Sequence, residues 1–355
     1  MIDFLIIGGG IAGISAAARL SALGNVTVLE QETALGYHAS GRSAALYERN
    51  YGKASTIALN KASLQYHQDA GVLGPRGFLL LGSEGEDDAF DADREYMQLV
   101  DCSLDEAFSL FPILNPAVIT RAAHDPHAWD IDTDLLLQSF AKIAKKNGAQ
   151  IITKAPVTAI ARTSTGWVAM SDQSYDARVI VNAAGAWVDE IATLAGIAPL
   201  GFTPLRRSMG RIPAPGGQDV SGWPMIFGPG ETWYAKPDAG ALLVSPADED
   251  PVAPHDAFAD DMVLAEGFSR YEQHVTEPVT RLLSSWAGLR TFAPDRQLVL
   301  GASHEDPTFI WCAGQGGYGM QSSPGASQLL ADVISGTTPA LDAGMVAALS
   351  PARFA

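Results

Sequence analysis

Gly8, Gly10 and Gly13 stand in Gly8-Gly9-Gly10-Ile11-Ala12-Gly13, a G-x-G-x-x-G spacing suited to holding a diphosphate. Gly8 permits a tight turn, Gly10 lets the backbone approach a pyrophosphate, and Gly13 lets a helix pack closely on the preceding strand. Just upstream, Phe4 to Ile7 is a short apolar run that predicts a buried parallel strand. Ile14 to Leu20, just downstream, is a small-residue stretch of good helix propensity. The start of that helix, at Ile11 and Ala12, offers unpaired backbone N–H groups and a partial positive charge to phosphate. Val26 to Glu30 predicts a second strand, and Glu30 falls 20 residues after Gly10, placed to hydrogen-bond ribose hydroxyls. FAD and NAD both fit such a unit.

Three later segments favour FAD. Gly36-Tyr37-His38-Ala39-Ser40-Gly41-Arg42-Ser43-Ala44-Ala45 gathers small and hydroxyl residues around one arginine. Ser40, Ser43 and the backbone at Ala44 would donate along a diphosphate and ribityl chain while Arg42 offsets charge; the alternative is a polar loop with a surface arginine. Val179 to Trp187 reads as a buried strand dissolving into Ala183, Ala184 and Gly185, which allow close approach to a ligand. Trp311 to Gln321 contains Gly316, Gly317 and Gly319 ahead of an apolar helical stretch from Ala326 to Ile334. A second helix start over that glycine turn would stabilise negative charge on a reduced flavin.

These segments together resemble the D-amino-acid oxidase/glycine oxidase family of FAD-dependent oxidoreductases. Within it the chain is similar to bacterial FAD-dependent D-amino acid dehydrogenases of the D-arginine type. Asp130 to Asp134 and Trp286-Ala287-Gly288-Leu289-Arg290 also carry the likeness, which covers nearly the whole chain. It implies an α/β fold, a Rossmann-like FAD-binding domain with a mixed-sheet α+β substrate domain. It also implies that Val157, Ala183, Gly185, Trp187, Gly316, Tyr318 and Gly319 line the cofactor, with Gly317 and Gln321 touching both flavin and substrate. Relatives that link flavin covalently use a cysteine or histidine where this chain has Gly288 and Ser43, so FAD is expected to be non-covalent.

The resemblance places the substrate carboxylate on Arg290, whose planar fork suits both oxygens, with Arg207, Tyr234 and Tyr51 in the same pocket. A structural salt bridge for the arginines and a core position for the tyrosines are the bland alternatives. Where relatives carry a pocket acid, this chain reads Arg76-Gly77-Phe78-Leu79, and a pocket histidine is replaced by Leu46. An apolar pocket follows, with arginine and lysine as poor substrates, unless Arg49 or Arg211 enters it and favours an acidic side chain. The implied reaction moves a hydride from the α-carbon of a D-amino acid to flavin N5, and the imino acid hydrolyses to a 2-oxo acid and ammonia. No general base stands out, which agrees with selection of the neutral amine. Oxygen or a quinone would reoxidise the flavin. The rivals are a secondary-amine oxidase of the sarcosine type, a 2-hydroxy-acid dehydrogenase, and a flavin-carrying subunit of an electron-transfer complex.

The elements that must position these groups are supplied by a chain of 355 residues, enough for about two domains. The resemblance implies an FAD-binding domain in three parts, residues 1–76, 131–200 and 285–355, and alternating βα signals and glycine turns there agree with it. Residues 77–130 and 201–284, richer in aromatics, prolines and acids, would form the substrate domain. Strands are predicted there at Pro204 to Ile212, Thr232 to Lys236 and Ala241 to Ser245, and a helix from Ala259 to His274. A net charge of −17 disfavours nucleic acid and anionic lipid as partners. No apolar run approaches the about 20 residues of a membrane span. Two distant cysteines, Cys102 and Cys312, and a start without a basic signal sequence point to the cytoplasm. His124 and His127 lack further ligands at metal-binding spacing, so no metal is expected.

Overall fold

The strand Ile2–Ile7 (β1) is buried from Phe4 onward, as an unbroken apolar run must be when both faces of a sheet are covered. The structure, a computed structural model, describes residues 1–355. β1 runs parallel to Val26–Leu29 (β2) on one side and to Ser174–Asn182 on the other. The helix Ile11–Leu20 (α1) connects β1 to β2. Its alanines and glycine keep it thin, and all its residues but Ala12 and Arg19 are buried. It lies against the helices Thr133–Lys146 and Gly319–Ser335. Gln150–Ile152 extends the sheet in parallel beyond β2, and Phe309–Ala313 extends it beyond Ser174–Asn182. The first sheet has eight strands in all.

A nine-stranded sheet forms the second body, with Phe78–Ser83, Tyr234–Asp238 and Ala241–Ser245 buried nearly throughout and Ser284–Phe292 burying alternate residues. The predicted strands occur at Thr203–Pro213, Tyr234–Asp238 and Ala241–Ser245, and the predicted helix at Asp261–Gln273. Met225–Phe227, Phe78–Ser83 and Ile119–Asp125 continue the sheet beyond Tyr234–Asp238. One expected boundary is corrected. Ser284–Phe292 pairs with Thr203–Pro213 along its whole length, from Arg211 opposite Ser284 to Thr203 opposite Phe292. The second body therefore reaches Phe292, and the chain does not return to the first at residue 285. The reason is visible in the burial of every second residue from Ala287 to Thr291, the period of a one-sided antiparallel strand.

The helix Gly319–Ser335 carries Pro324 inside it, which removes the N–H that would have met the Met320 carbonyl. The Ser323 hydroxyl takes that carbonyl at 3.0 Å. One residue further, the Gly325 N–H goes to the Ser63 hydroxyl at 2.9 Å, and the Gln321 carbonyl accepts from His67 Nε2 at 2.9 Å. The helix Ala54–Asp69 thus satisfies the opened turn and pins Gln321 in place.

Candidate active site

A cleft opens at the carboxyl ends of β1, β2 and Ser174–Asn182, where the crossovers diverge and a parallel sheet leaves room for a ligand. Gly8 has φ +110°, and a Cβ there would overlap the Ala183 carbonyl oxygen. A Cβ on Gly13 would overlap the Gly8 carbonyl, so this residue brings α1 onto the turn without touching the cleft. Gly10, Ile11 and Ala12 line the cleft. The Ser40 hydroxyl accepts the Ile11 N–H at 2.9 Å, capping the start of α1. Glu30 is buried, and its two oxygens accept the N–H groups of Gly9 at 2.6 Å and Glu32 at 2.8 Å. It stiffens the turn while still lining the cleft beside Val157, Ala183, Gly185 and Trp187. Further along, Ser43, Ala44, Gly316, Gly317 and Gly319 form the walls. Thr291, which the sequence did not single out, lines this stretch with a buried hydroxyl that has no protein partner.

Two of the residues expected at the cofactor have protein partners of their own, Arg42 while lining the cleft. The Arg42 guanidinium binds Asp256 at 2.5 Å, the carbonyls of Ala257 and Ala287 at 2.8 and 3.0 Å, and the Tyr37 carbonyl at 3.2 Å. Its charge is answered by Asp256, and it ties the loop before Asp261–Gln273 to the first body rather than serving a diphosphate alone. The Tyr318 ring lies outside the cleft, packed edge-on against Tyr51 at 5.0 Å and Phe292 at 6.3 Å. Its place at the start of the helix Gly319–Ser335 turns the ring away from the glycine wall.

The cleft continues into a second cavity under the nine-stranded sheet. Arg207 pairs opposite Gly288, and Arg290 opposite Leu205, so the two-residue period puts both arginines on one face. Arg290 lies where the two cavities meet and has no hydrogen bond or ion pair within the protein. A Cβ at Gly317 would stand 3.0 Å from its Nη1, so a larger residue there would make the guanidinium shift by a few tenths of an ångström. Arg207 donates to the Asp248 carbonyl at 2.9 Å and to Glu249 at 3.2 Å, leaving its buried Nη1 unpaired. Tyr234 lines both cavities with a hydroxyl that no protein group engages. Tyr51 donates its hydroxyl to Glu231 at 3.0 Å. Gln321 lies on the substrate side alone, its Oε1 accepting the Glu48 N–H at 2.9 Å, with its amide nitrogen left to the cavity.

The expectation of a cavity without an acid is overturned. Phe78 stacks on Phe227 at 4.2 Å and Leu46 lines the wall, but Glu48 and Glu231 line it too. Each sits three residues before a tyrosine that the sequence did single out, Tyr51 and Tyr234. Turns, not strands, carry both acids, so no periodicity aimed them inward; Glu231 has φ +52°. Neither candidate arginine enters. Arg49 is exposed, and Arg211 binds Asp238 at 3.1 Å. No three histidine, cysteine or acidic side chains converge as a metal site would need.

Burial opposes the charge on Arg290, but Tyr51, Tyr234, Glu231 and Glu249 around it outweigh that and hold its pKa above the ordinary value. Burial, then Glu231, pushes the Tyr51 hydroxyl well above its ordinary range. Burial raises Glu48 to about 8, reinforced by the adjoining Asp125 carboxylate. The site thus pairs a permanent cation with neutral hydroxyls and a neutral acid.

Comparison with known proteins agrees with this geometry. Residues 3–333 match the family described as FAD dependent oxidoreductase. The chain is 24% identical over 401 residues to FAD-dependent oxidoreductase domain-containing protein 1 of Xenopus laevis, covering 94% of this chain and 79% of that one. Among solved structures it is similar to L-proline dehydrogenase from P. horikoshii, with a TM-score of 0.84 and 21% identity over 99% of this chain and 97% of the other. Glycine oxidase from Geobacillus kaustophilus gives a TM-score of 0.84 and 21% identity over 98% and 97%. No helix is long and apolar enough to cross a membrane.

Proposed function

The chain belongs to the family of FAD dependent oxidoreductases, and from that premise we infer that its substrate is an α-amino acid of D configuration, bearing an apolar or neutral side chain. The observation that carries this reading is the unpaired Arg290 guanidinium where the cleft opens into the second cavity. The Tyr234 hydroxyl and the unpaired Nη1 of Arg207 line the same cavity. A carboxylate satisfies all three donors and balances the charge that burial makes costly. The D configuration rests on the resemblance of Tyr51, Arg207, Tyr234 and Arg290 to the D-amino acid dehydrogenase pattern.

FAD is the cofactor, and when bound it supplies the two-electron oxidant. The residues present fit it. The glycine turn and α1 would hold the diphosphate, Glu30 the ribose, and Ser43, Ala44, Thr291, Gly316 and Gly317 the ring end, without a covalent bond. The chain's own task is orientation, which a fixed carboxylate and two walls provide. No histidine lines the substrate cavity, Glu48 is neutral near pH 7, and Tyr51 holds its proton. The substrate must therefore arrive with its amine already neutral. The amine-bearing carbon loses two electrons and its hydrogen, and water then converts the imine to a 2-oxo acid and ammonia. Oxygen or a quinone would take up the electrons.

The likeness to L-proline dehydrogenase favours a second reading, oxidation of a secondary amine held by the same clamp. Anaerobic mixing of the yellow protein with D-norvaline, L-norvaline, L-proline and sarcosine separates the two. Loss of the flavin band with D-norvaline alone supports the first reading. Loss with L-proline or sarcosine, and none with D-norvaline, replaces it with the second.

A further inference from the structure

We propose that the Glu48 carboxyl is a subsite for a neutral hydrogen-bonding group, a hydroxyl or an amide, on the side chain of the substrate. The proposal rests on the amino-acid reading above and deepens it. Glu48 is 3% exposed and lines the second cavity together with Leu46, Phe78, Met97, Met225 and Phe227. In that apolar wall its carboxyl stands out, because Glu231 is taken by the Tyr51 hydroxyl. Oε1 accepts the Asn50 N–H at 2.9 Å, and the equally enclosed Oε2 has no donor. A turn alone would need one acceptor, which a smaller residue supplies without burying a second oxygen.

The buried Asp125 carboxylate adjoins Glu48 and adds to the effect of burial on it. Asp125 accepts the His127 N–H at 2.8 Å. Burial, with that carboxylate beside it, keeps Glu48 neutral near pH 7. Tyr47 and Arg49 adjoin Glu48 along the chain, Arg49 facing solvent, and Arg207, Arg290 and Glu231 complete the charged groups of the cavity. The Glu48 backbone is fixed by Gln321, so the carboxyl sits on a rigid support. A neutral carboxyl both donates and accepts, which matches a hydroxyl or amide and does not reward a methyl group. Nor does it repay desolvating an ammonium beside two arginines.

The test is anaerobic flavin reduction with two isosteric pairs, D-homoserine against D-norvaline and D-ornithine against D-norleucine. The wild-type protein is expected to favour D-homoserine over D-norvaline by roughly tenfold in reduction rate over apparent Kd, about one hydrogen bond. D-homoserine should also exceed D-ornithine. Glu48→Leu should bring the first ratio to one or below, whereas Glu48→Gln, which still donates and accepts, should keep it above one. A wild-type preference for D-norvaline, a preference for D-ornithine over D-homoserine, or a ratio unmoved in Glu48→Leu would each overturn the proposal. If Glu48→Leu does not fold, the wild-type and Glu48→Gln ratios still decide it. Failure of all four D-amino acids while L-proline reduces the flavin would instead remove the reading on which the proposal rests.

Discussion

The two halves of the cleft bind by opposite means. The half at the ends of β1 and β2 is largely backbone, and two of its charged side chains already have partners: Glu30 holds two N–H groups, and Arg42 holds three carbonyls and Asp256. The half under the nine-stranded sheet is made of side chains left incomplete. Arg290, the Nη1 of Arg207, the Tyr234 hydroxyl and the Oε2 of Glu48 have no protein partners. A cofactor that never changes can be met by a rigid backbone shape. A substrate selected by its functional groups needs donors and acceptors held in reserve, and here several gather in one cavity.

This contrast is open to direct attack. If the first half works by backbone shape, Gly13→Val should cause the largest loss, because its side chain meets the Gly8 carbonyl and not a movable group. The purified variant should carry less than about a tenth of the wild-type FAD, measured as flavin absorbance per protein. A fully yellow variant would break the comparison. If the second half works by reserved donors, Arg290→Lys should keep its FAD and lose substrate. A compact ammonium cannot replace the planar fork, and kcat/KM should fall about 10³-fold, near 4 kcal/mol. Loss of FAD with equal severity would mean the halves are not separable.

The smallest effect concerns Glu48. Its pKa is raised in the folded protein to about 8, from the ordinary value of 4.5, so folding binds a proton between those two values. Stability from the neutral form is fully present below about pH 4.5 and is lost as pH rises through 8. Glu48→Gln should thus gain on the wild type in Tm as pH goes from 5 to 8, by on the order of a few degrees, and level off above. Parallel Tm curves would show that Glu48 is ionised throughout.

The same contrast explains what could be read from the chain. The glycine turn was legible because its parts are contiguous: strand, turn, helix, strand and acid fall within the first thirty residues, and each local preference agrees with the next. Arg290 and Tyr234 were placed only through resemblance, since no spacing links them to Tyr51 or Gln321. The protein partners of Arg42 were not legible, because Asp256, Ala257 and Ala287 lie more than two hundred residues away. The boundary at residue 285 failed because the Trp286 to Arg290 segment was assigned by its role rather than by its alternation.

By itself the sequence determined that a dinucleotide would be held at the end of β1, because backbone conformation and helix start are local properties of adjacent residues. Only the tertiary structure decided the character of the substrate cavity. Glu48, Glu231 and Phe227 meet there through sheet pairing and turn geometry, and whether a carboxyl is neutral depends on what folding brings beside it, here Asp125 and the loss of water.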